Sequence, residues 1–329
     1  MKKKIKKENL KKVPDTFKGL VKDLIEEKKF PHIYLILSLL VLNLFLLVLV
    51  ILLITVSQFI SLRYIPSEKK GTATFSYFLK RPDLLTSSKA LSIYDSDQDI
   101  TLLSKNENLR FSPASTAKIM SLLVALDYYS KNTVFTADYP TVNREGSKMG
   151  LFLGERISFI DLLYGVMLPS GNDAVYLLAE NYPGGVDGFV NQMNVKAEEL
   201  GLSNTHFVDP AGYEDDNYST AYDLSRLASH ALKNSVFAEI VKTKKKTVYN
   251  VEKTIPHELK NLNELLAIPN VTGVKTGFTN EAEGVLVTSF SYNDHTYIIV
   301  VLRSQDRFQD TEVLISGIIQ DLKNQTFAF

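Results

Sequence analysis

Cysteine is absent from all 329 residues. No disulfide, thiolate zinc site or cysteine nucleophile is therefore available, and an exported domain would have to draw its stability from its core alone. Asp, Glu, Lys and Arg are all missing from Pro31 to Leu62, and the centre of that stretch, LILSLLVLNLFLLVLVILLITV, is interrupted only by Ser38, Asn43 and Thr55. About 20 such residues cross a bilayer. A helix this long with no polar face has no place in an ordinary globular core, so 31–62 is expected to be one transmembrane helix in contact with membrane lipid. A cleavable signal peptide is disfavoured, because the apolar run is too long and SQFISLRYIP follows it without a small-x-small site. The Gly-x-Ser-x-Gly elbow of a Ser-His-Asp hydrolase is also missing. His257-Glu258 opens a zinc-protease pattern, but Asn261 stands where the second histidine would be, so no metal is implied.

What is present is globular in composition: 45% hydrophobic and 22% charged residues, with Lys+Arg and Asp+Glu balanced at 37 each. The balance hides an asymmetry, since residues 1–30 are rich in lysine and the remainder is net acidic. Those lysines place the tail in the cytosol and everything from Arg63 onward outside, a single-pass protein of the cell membrane with an extracytoplasmic domain. The same lysines could also hold an anionic lipid surface. Residues 63–83 have no sustained period and read as a linker, leaving 84–329 as the folded domain.

Within that domain KALSIYDSD and DITLLSKN form a predicted strand pair around Ser96 to Gln98, one strand apolar in alternation. Ser112 and Pro113 are the expected cap and first residue of a helix over ASTAKIMSLLVALDYY. Several helices follow between 158 and 240, broken at Pro169-Ser170-Gly171, Pro183-Gly184-Gly185 and Gly201. VLVTSFSY and TYIIVVLRS, separated by Asn293 and Asp294, make a predicted hairpin, and DTEVLISGIIQDLKN a terminal helix. Strands at both ends with helices between them imply an antiparallel sheet built from distant parts of the chain, an α/β lobe beside a helical one.

Three strings carry chemistry. Ser115-Thr-Ala-Lys118 puts a hydroxyl and an amine one turn apart on a helix that is apolar on nearly every side. Burial lowers a lysine's pKa towards neutrality, and a neutral amine beside a hydroxyl is a general base beside a nucleophile. The spacing alone is common, since Ser67-Glu-Lys-Lys70 shares it. Ser-x-Asn occurs at Ser104, Ser130, Ser170 and Ser291, but only Ser170-Gly171-Asn172 lies in a turn between two apolar helices; a helix cap made by Asn172 or Asp173 is the plainer reading there and is compatible with a functional one. Lys275-Thr276-Gly277 precedes the late strands, where a lysine, a hydroxyl and a glycine could hold a carboxylate or simply end a strand. Lys244 to Lys246 form a solvated strand edge, His206, His230 and His295 read as structural or surface residues, and nothing indicates nucleic acid.

In that order, Ser-x-x-Lys, Ser-x-Asn and Lys-Thr-Gly are the signature set of penicillin-recognising serine enzymes. SPASTAKIM, GSKMGLFLGERISFIDLLYGVMLPSGNDAVYLLAE, KAEELGLSNTHFVDPAGY, STAYDLSRLA, NLNELL and GVKTGFTNEAEG, spanning about 85–323, resemble the D-alanyl-D-alanine carboxypeptidase family, the low-molecular-mass penicillin-binding proteins. The resemblance implies the β-lactamase/transpeptidase-like fold, peptidoglycan stem peptide as substrate, β-lactams as covalent inhibitors and no cofactor. It also implies acylation of Ser115 with Lys118 as base, Ser170 and Asn172 as proton relay and amide contact, and Lys275 with Thr276 and Gly277 as carboxylate site. The NH groups of Ser115 and Phe278 would form the oxyanion hole, and Arg307 would help hold the carboxylate. A D,D-endopeptidase has the same site. A class A β-lactamase needs a Glu-x-x-Leu-Asn string that is missing after Asn172, and a non-catalytic penicillin-binding protein would not keep every signature residue. The sequence departs from relatives at Phe278, often polar, and at Glu283 and Gly284, where Ala-Gly is frequent. Many relatives also carry a C-terminal β-rich domain and an amphipathic membrane tail, where this chain stops at Phe329 with its expected anchor at the other end.

Overall fold

Apolar strands from the two ends of the domain meet in one sheet. The computed structural model describes residues 39–50 and 86–326, and the chain divides into two compact units, Met1–Ala73 and Thr74–Phe329. In the first, residues 39–50 are helical and their large apolar side chains stand exposed. No described helix is long and apolar enough to cross a membrane. The rest of the expected 31–62 anchor, the lysine tail and the 63–83 linker lie outside the described residues.

In the second unit, β1 (Ala90–Asp95), β2 (Ile100–Lys105), β7 (Val271–Thr279), β8 (Glu283–Tyr292) and β9 (His295–Ser304) form an antiparallel sheet in the order β2-β1-β9-β8-β7. The β8–β9 hairpin turns at Asn293 and Asp294, at φ 50° and 61°, the paired left-handed positions that a two-residue turn needs. Both sheet faces are covered. Tyr94, Val285, Val287, Ile298 and Val300 face the helical side, while Leu91, Ile93, Leu286, Phe290, Ile299 and Val301 pack with Leu314, Ile315 and Ile318 of the terminal helix α7 (Arg307–Thr326). β1 is consequently buried at every position, Ser92 and Asp95 included, rather than alternating.

The helical side is arranged round α1 (Lys118–Tyr128), whose residues from Lys118 to Ala125 are all buried. A helix apolar on all sides belongs at a centre, and α2 (Phe159–Met167), α3 (Asn172–Glu180), α4 (Gly185–Glu199) and α5 (Ala221–Leu232) pack against it. Ser158 and Thr220 cap α2 and α5, accepting from the Asp161 and Asp223 amides at 3.2 and 3.0 Å. α6 (Ser235–Lys242) is capped by Asn234. Two short ribbons complete the domain: β3 (Val134–Thr136) with β4 (Arg156–Ser158), and β5 (Lys245–Tyr249) with β6 (Pro256–Lys260).

The start of α1 differs from expectation. Ala114–Ala117 is a 3₁₀ turn led by Pro113, with no side-chain cap, and Ser112 Oγ lies 3.5 Å from the Ala114 amide, too far to serve as one. Ala114 has φ 45°, so the chain enters the helix through a kink instead of a capped first turn.

Candidate active site

The 3₁₀ turn matters because it carries Ser115. Residues i and i+3 eclipse in such a turn, and Lys118 Nζ comes to 3.0 Å from Ser115 Oγ. Two neighbouring backbones fix the turn. Gly212, at φ 69°, lies so close that an added Cβ would sit 1.9 Å from the Ala114 carbonyl oxygen. On the other side a Cβ on Gly277 of β7 would meet the Ser115 amide nitrogen at 3.1 Å. Only glycine permits either approach.

Lys118 is fully buried, and burial brings its pKa down from 10.5 to about 7 against the opposing charges of Asp209 and Asp173. Besides Ser115, its Nζ donates to Asn172 Oδ1 at 2.8 Å and to the Ala211 carbonyl at 2.9 Å. Those two partners are pure acceptors in these contacts. A neutral amine has two N–H donors, so both are spent there and the lone pair is left facing the one partner that can donate, the Ser115 hydroxyl. The arrangement can deprotonate Ser115.

Two buried carboxylates hold this frame, and the motif strings did not single them out. Asp209 accepts from the Ala211 amide at 2.6 Å, from Glu214 at 2.8 Å and from Asn217 Nδ2 at 2.6 Å, which fixes the loop presenting the Ala211 carbonyl. Asp173, first-turn acid of α3, accepts the amides of Met149, Gly150 and Leu151 at 2.8, 2.8 and 3.1 Å. The string VDPAGY contained the first signal, an Asp two residues before the carbonyl it orients.

Ser170 sits in the turn between α2 and α3, and Asn172 is the first residue of α3. Neither Asn172 nor Asp173 is the cap of α3; Gly171 occupies that position. Asn172 Nδ2 donates to the Glu145 carbonyl at 2.7 Å, which orients the amide so that its oxygen meets Lys118. Ser170 is held at φ 63°, is 3% exposed, and its Oγ has no partner among the described residues. A strained, buried hydroxyl without a partner is what a site awaiting a ligand would hold.

β7 is an edge strand of the sheet and supplies the third string. Lys275 is 2% exposed and donates to the Thr276 carbonyl at 3.0 Å. Its pKa is driven well below 10.5 by burial, then by the charges of Lys118 and Arg307. Lys275 therefore lies in the field of two further cationic groups, an arrangement suited to an anion at this end of β7. Arg307, at the start of α7, has a buried Nε with no partner among the described residues and a guanidinium 5.9 Å from the ring of Phe278. Phe278 itself is 62% exposed. The structure thus brings together Ser115, Lys118 and Asn172 directly, and sets Lys275 and Gly277 beside them on β7.

His257 donates to or accepts from Glu155 Oε1 at 2.6 Å, a buried structural pair outside this cluster, and Lys245 and Lys246 lie on β5.

The sequence pattern of the family described as D-alanyl-D-alanine carboxypeptidase matches residues 79–306. A D-alanyl-D-alanine carboxypeptidase of Streptomyces is 40% identical over 223 residues, 62% of this chain and 76% of that protein. The carboxypeptidase DacF of Bacillus subtilis is 35% identical over 227 residues, 67% of this chain, and this chain spans only 58% of its length. A D-alanyl-D-alanine endopeptidase of Pseudomonas aeruginosa is 36% identical, over 66% of this chain and 71% of its own. Among solved structures, the Streptomyces K15 DD-transpeptidase superposes with a TM-score of 0.67 at 35% identity, covering 71% of this chain and 98% of its own.

Proposed function

This chain belongs to the D-alanyl-D-alanine carboxypeptidase family, and from that premise we propose that it is a serine-type D-Ala-D-Ala carboxypeptidase. It removes the terminal D-alanine of peptidoglycan stem peptides through an acyl-enzyme. The observation that carries the reading is the Lys118 amine, buried, titrating at about 7, and aimed at Ser115 by Asn172 and Ala211.

Ser115 Oγ attacks the carbonyl of the penultimate D-alanine while its proton passes to Lys118 Nζ. As the C–N bond breaks, the Lys118 ammonium returns that proton to the departing D-alanine amine by way of the Ser170 hydroxyl. Water then cleaves the Ser115 ester, with Lys118 again taking the proton. The Ser115 amide, which Gly277 leaves uncovered by any side chain, and the Phe278 amide stabilise the oxyanion. Lys275, Thr276 and Arg307 receive the terminal carboxylate, whose negative charge offsets the repulsion that Arg307 exerts on Lys275. β-Lactams present a strained amide and a carboxylate to the same groups and acylate Ser115.

The endopeptidase relatives favour a second reading, cleavage of cross-links by the same machinery. A pentapeptide ending in D-Ala-D-Ala and a cross-linked dimer, each incubated with the full-length chain and analysed by mass, separate the two. Release of free D-alanine from the pentapeptide supports the carboxypeptidase; cleavage of the dimer alone overturns it.

We further place the protein in the cell membrane, with residues 31–62 as its anchor, lipid as their surroundings and the catalytic domain outside. The uncharged stretch and the lysines before it support this. Full-length protein should stay with the membrane fraction after a high-salt or alkaline wash; release into the supernatant would refute the anchor.

A further inference from the structure

A polar cavity of about 290 Å³ is lined by Tyr94, Ser96 and Asp99 from β1 and its turn, by Arg226, Ser229, His230 and Lys233 from α5 and its end, and by Leu200. It shares no residue with the site around Ser115, and its size falls at the lower end of small-molecule pockets.

Its chemistry is that of a donor surface. Arg226, His230 and Lys233 follow one another at i, i+4 and i+7, so they share one face of α5 and its C-cap. Ser229 Oγ is tied to Ser96 Oγ at 2.6 Å, which joins the helix side of the cavity to the strand side. Arg226 stacks on Tyr222 with its guanidinium 4.7 Å from the ring centre, and its buried Nε has no partner among the described residues.

Positive charge here is in excess. Asp99 is the one carboxylate lining the cavity, and Arg226 Nη1 reaches it at 3.3 Å while Tyr94 OH donates to the same oxygen. Lys233 has no carboxylate within ion-pair distance among the described residues, and nearby Lys196 is already committed to Asp127 at 2.6 Å. The charges of Lys196 and Lys233 help burial to hold the His230 imidazole below its usual pKa. Cations near a helix C-terminus are ordinarily explained by the dipole. That explanation covers His230 and Lys233, but not Arg226 mid-helix, nor two hydroxyls and a cavity opposite them.

We propose that this cavity is a binding site for a phosphate group, held by Arg226 and Lys233 from the helix and by the Ser96 hydroxyl from the strand side. Donors converging from two elements suit a tetrahedral oxyanion, which offers acceptor oxygens in several directions, better than a planar carboxylate. For a protein acting on the wall, the group could arrive as free phosphate or as one link of a polyol phosphodiester.

The test titrates the full-length chain calorimetrically with inorganic phosphate and, separately, with a glycerol phosphodiester. Saturable one-to-one binding is expected. Arg226→Gln with Lys233→Gln should weaken it at least tenfold, and Asp99→Asn, which removes the competing carboxylate, should tighten it. β-Lactam acylation of Ser115 should stay unchanged in both variants, showing that they fold. Binding of the diester as tight as that of the free ion identifies a polymer link as the ligand; binding of the free ion alone identifies a small anion. Absence of saturable binding by either probe, or an affinity that the double variant leaves intact, overturns the proposal. Should the double variant fail to fold, an unaltered affinity in Asp99→Asn overturns it equally.

Discussion

The rate of Ser115 acylation should follow the titration of Lys118. Burial lowers that amine from 10.5 to about 7, a differential of roughly 5 kcal/mol between its two protonation states. At pH 7 roughly one unperturbed lysine in three thousand would be neutral, whereas about half of a group titrating there is. The second-order rate of acylation by a β-lactam, followed from about pH 5 to 10, should rise tenfold per unit and level off near 7. A fall on the alkaline side would report Lys275, which loses its charge earlier than an ordinary lysine for the causes given above. Asp209→Asn removes a carboxylate that raises the Lys118 pKa, so the midpoint should move to lower pH. Lys118→Arg keeps the charge but cannot surrender its proton, and acylation should be lost. A rate still climbing at pH 10, a midpoint moved upward in Asp209→Asn, or near-normal acylation in Lys118→Arg would each refute Lys118 as the base.

The same lysines govern stability: unfolded, Lys118 and Lys275 keep a proton to about 10.5 that the folded protein releases much earlier, so stability rises with pH from about 7 towards 10. Above that the gain reverses, because Tyr94, Tyr176 and Tyr297, pushed up to about 12, ionise more readily unfolded; a Tm that falls between about pH 7 and 9 would contradict the sign. Gly212→Ala should cost about 2 kcal/mol or more in a denaturant melt and depress acylation, since its Cβ would strike the Ala114 carbonyl at a left-handed φ; a variant with wild-type stability and rate would show the contact to be unimportant. Amidating the terminal D-alanine should lower kcat/KM roughly 10- to 100-fold, the range for losing one charged hydrogen-bond partner. Equal rates on acid and amide would remove Lys275, Thr276 and Arg307 from carboxylate recognition.

What could be read in the chain beforehand depended on whether a feature was local. The β8–β9 hairpin was legible because Asn293 and Asp294 favour the turn it uses, and Ser115 and Lys118 because their spacing is itself the contact. The 3₁₀ entry to α1 was not, since Ala114 is displaced by Gly212 and Gly277, about 100 and 160 residues away in sequence. Burial of β1 on both faces was likewise hidden: the strand reads as apolar in alternation until α5 and α7 cover the sheet from opposite sides. The parts played by Asp209 and Asp173 were not legible: the first stood inside a matched string and the second read as a candidate helix cap, whereas both orient backbone that only the assembled loops present.

Whether Ser115 is the acylated nucleophile is decided by the intact mass of the full-length chain after exposure to a β-lactam. One covalent adduct is expected, mapping by peptide digestion to Ser115 and absent from a folded Ser115→Ala. An adduct that persists in Ser115→Ala, or that maps to another residue, would contradict it.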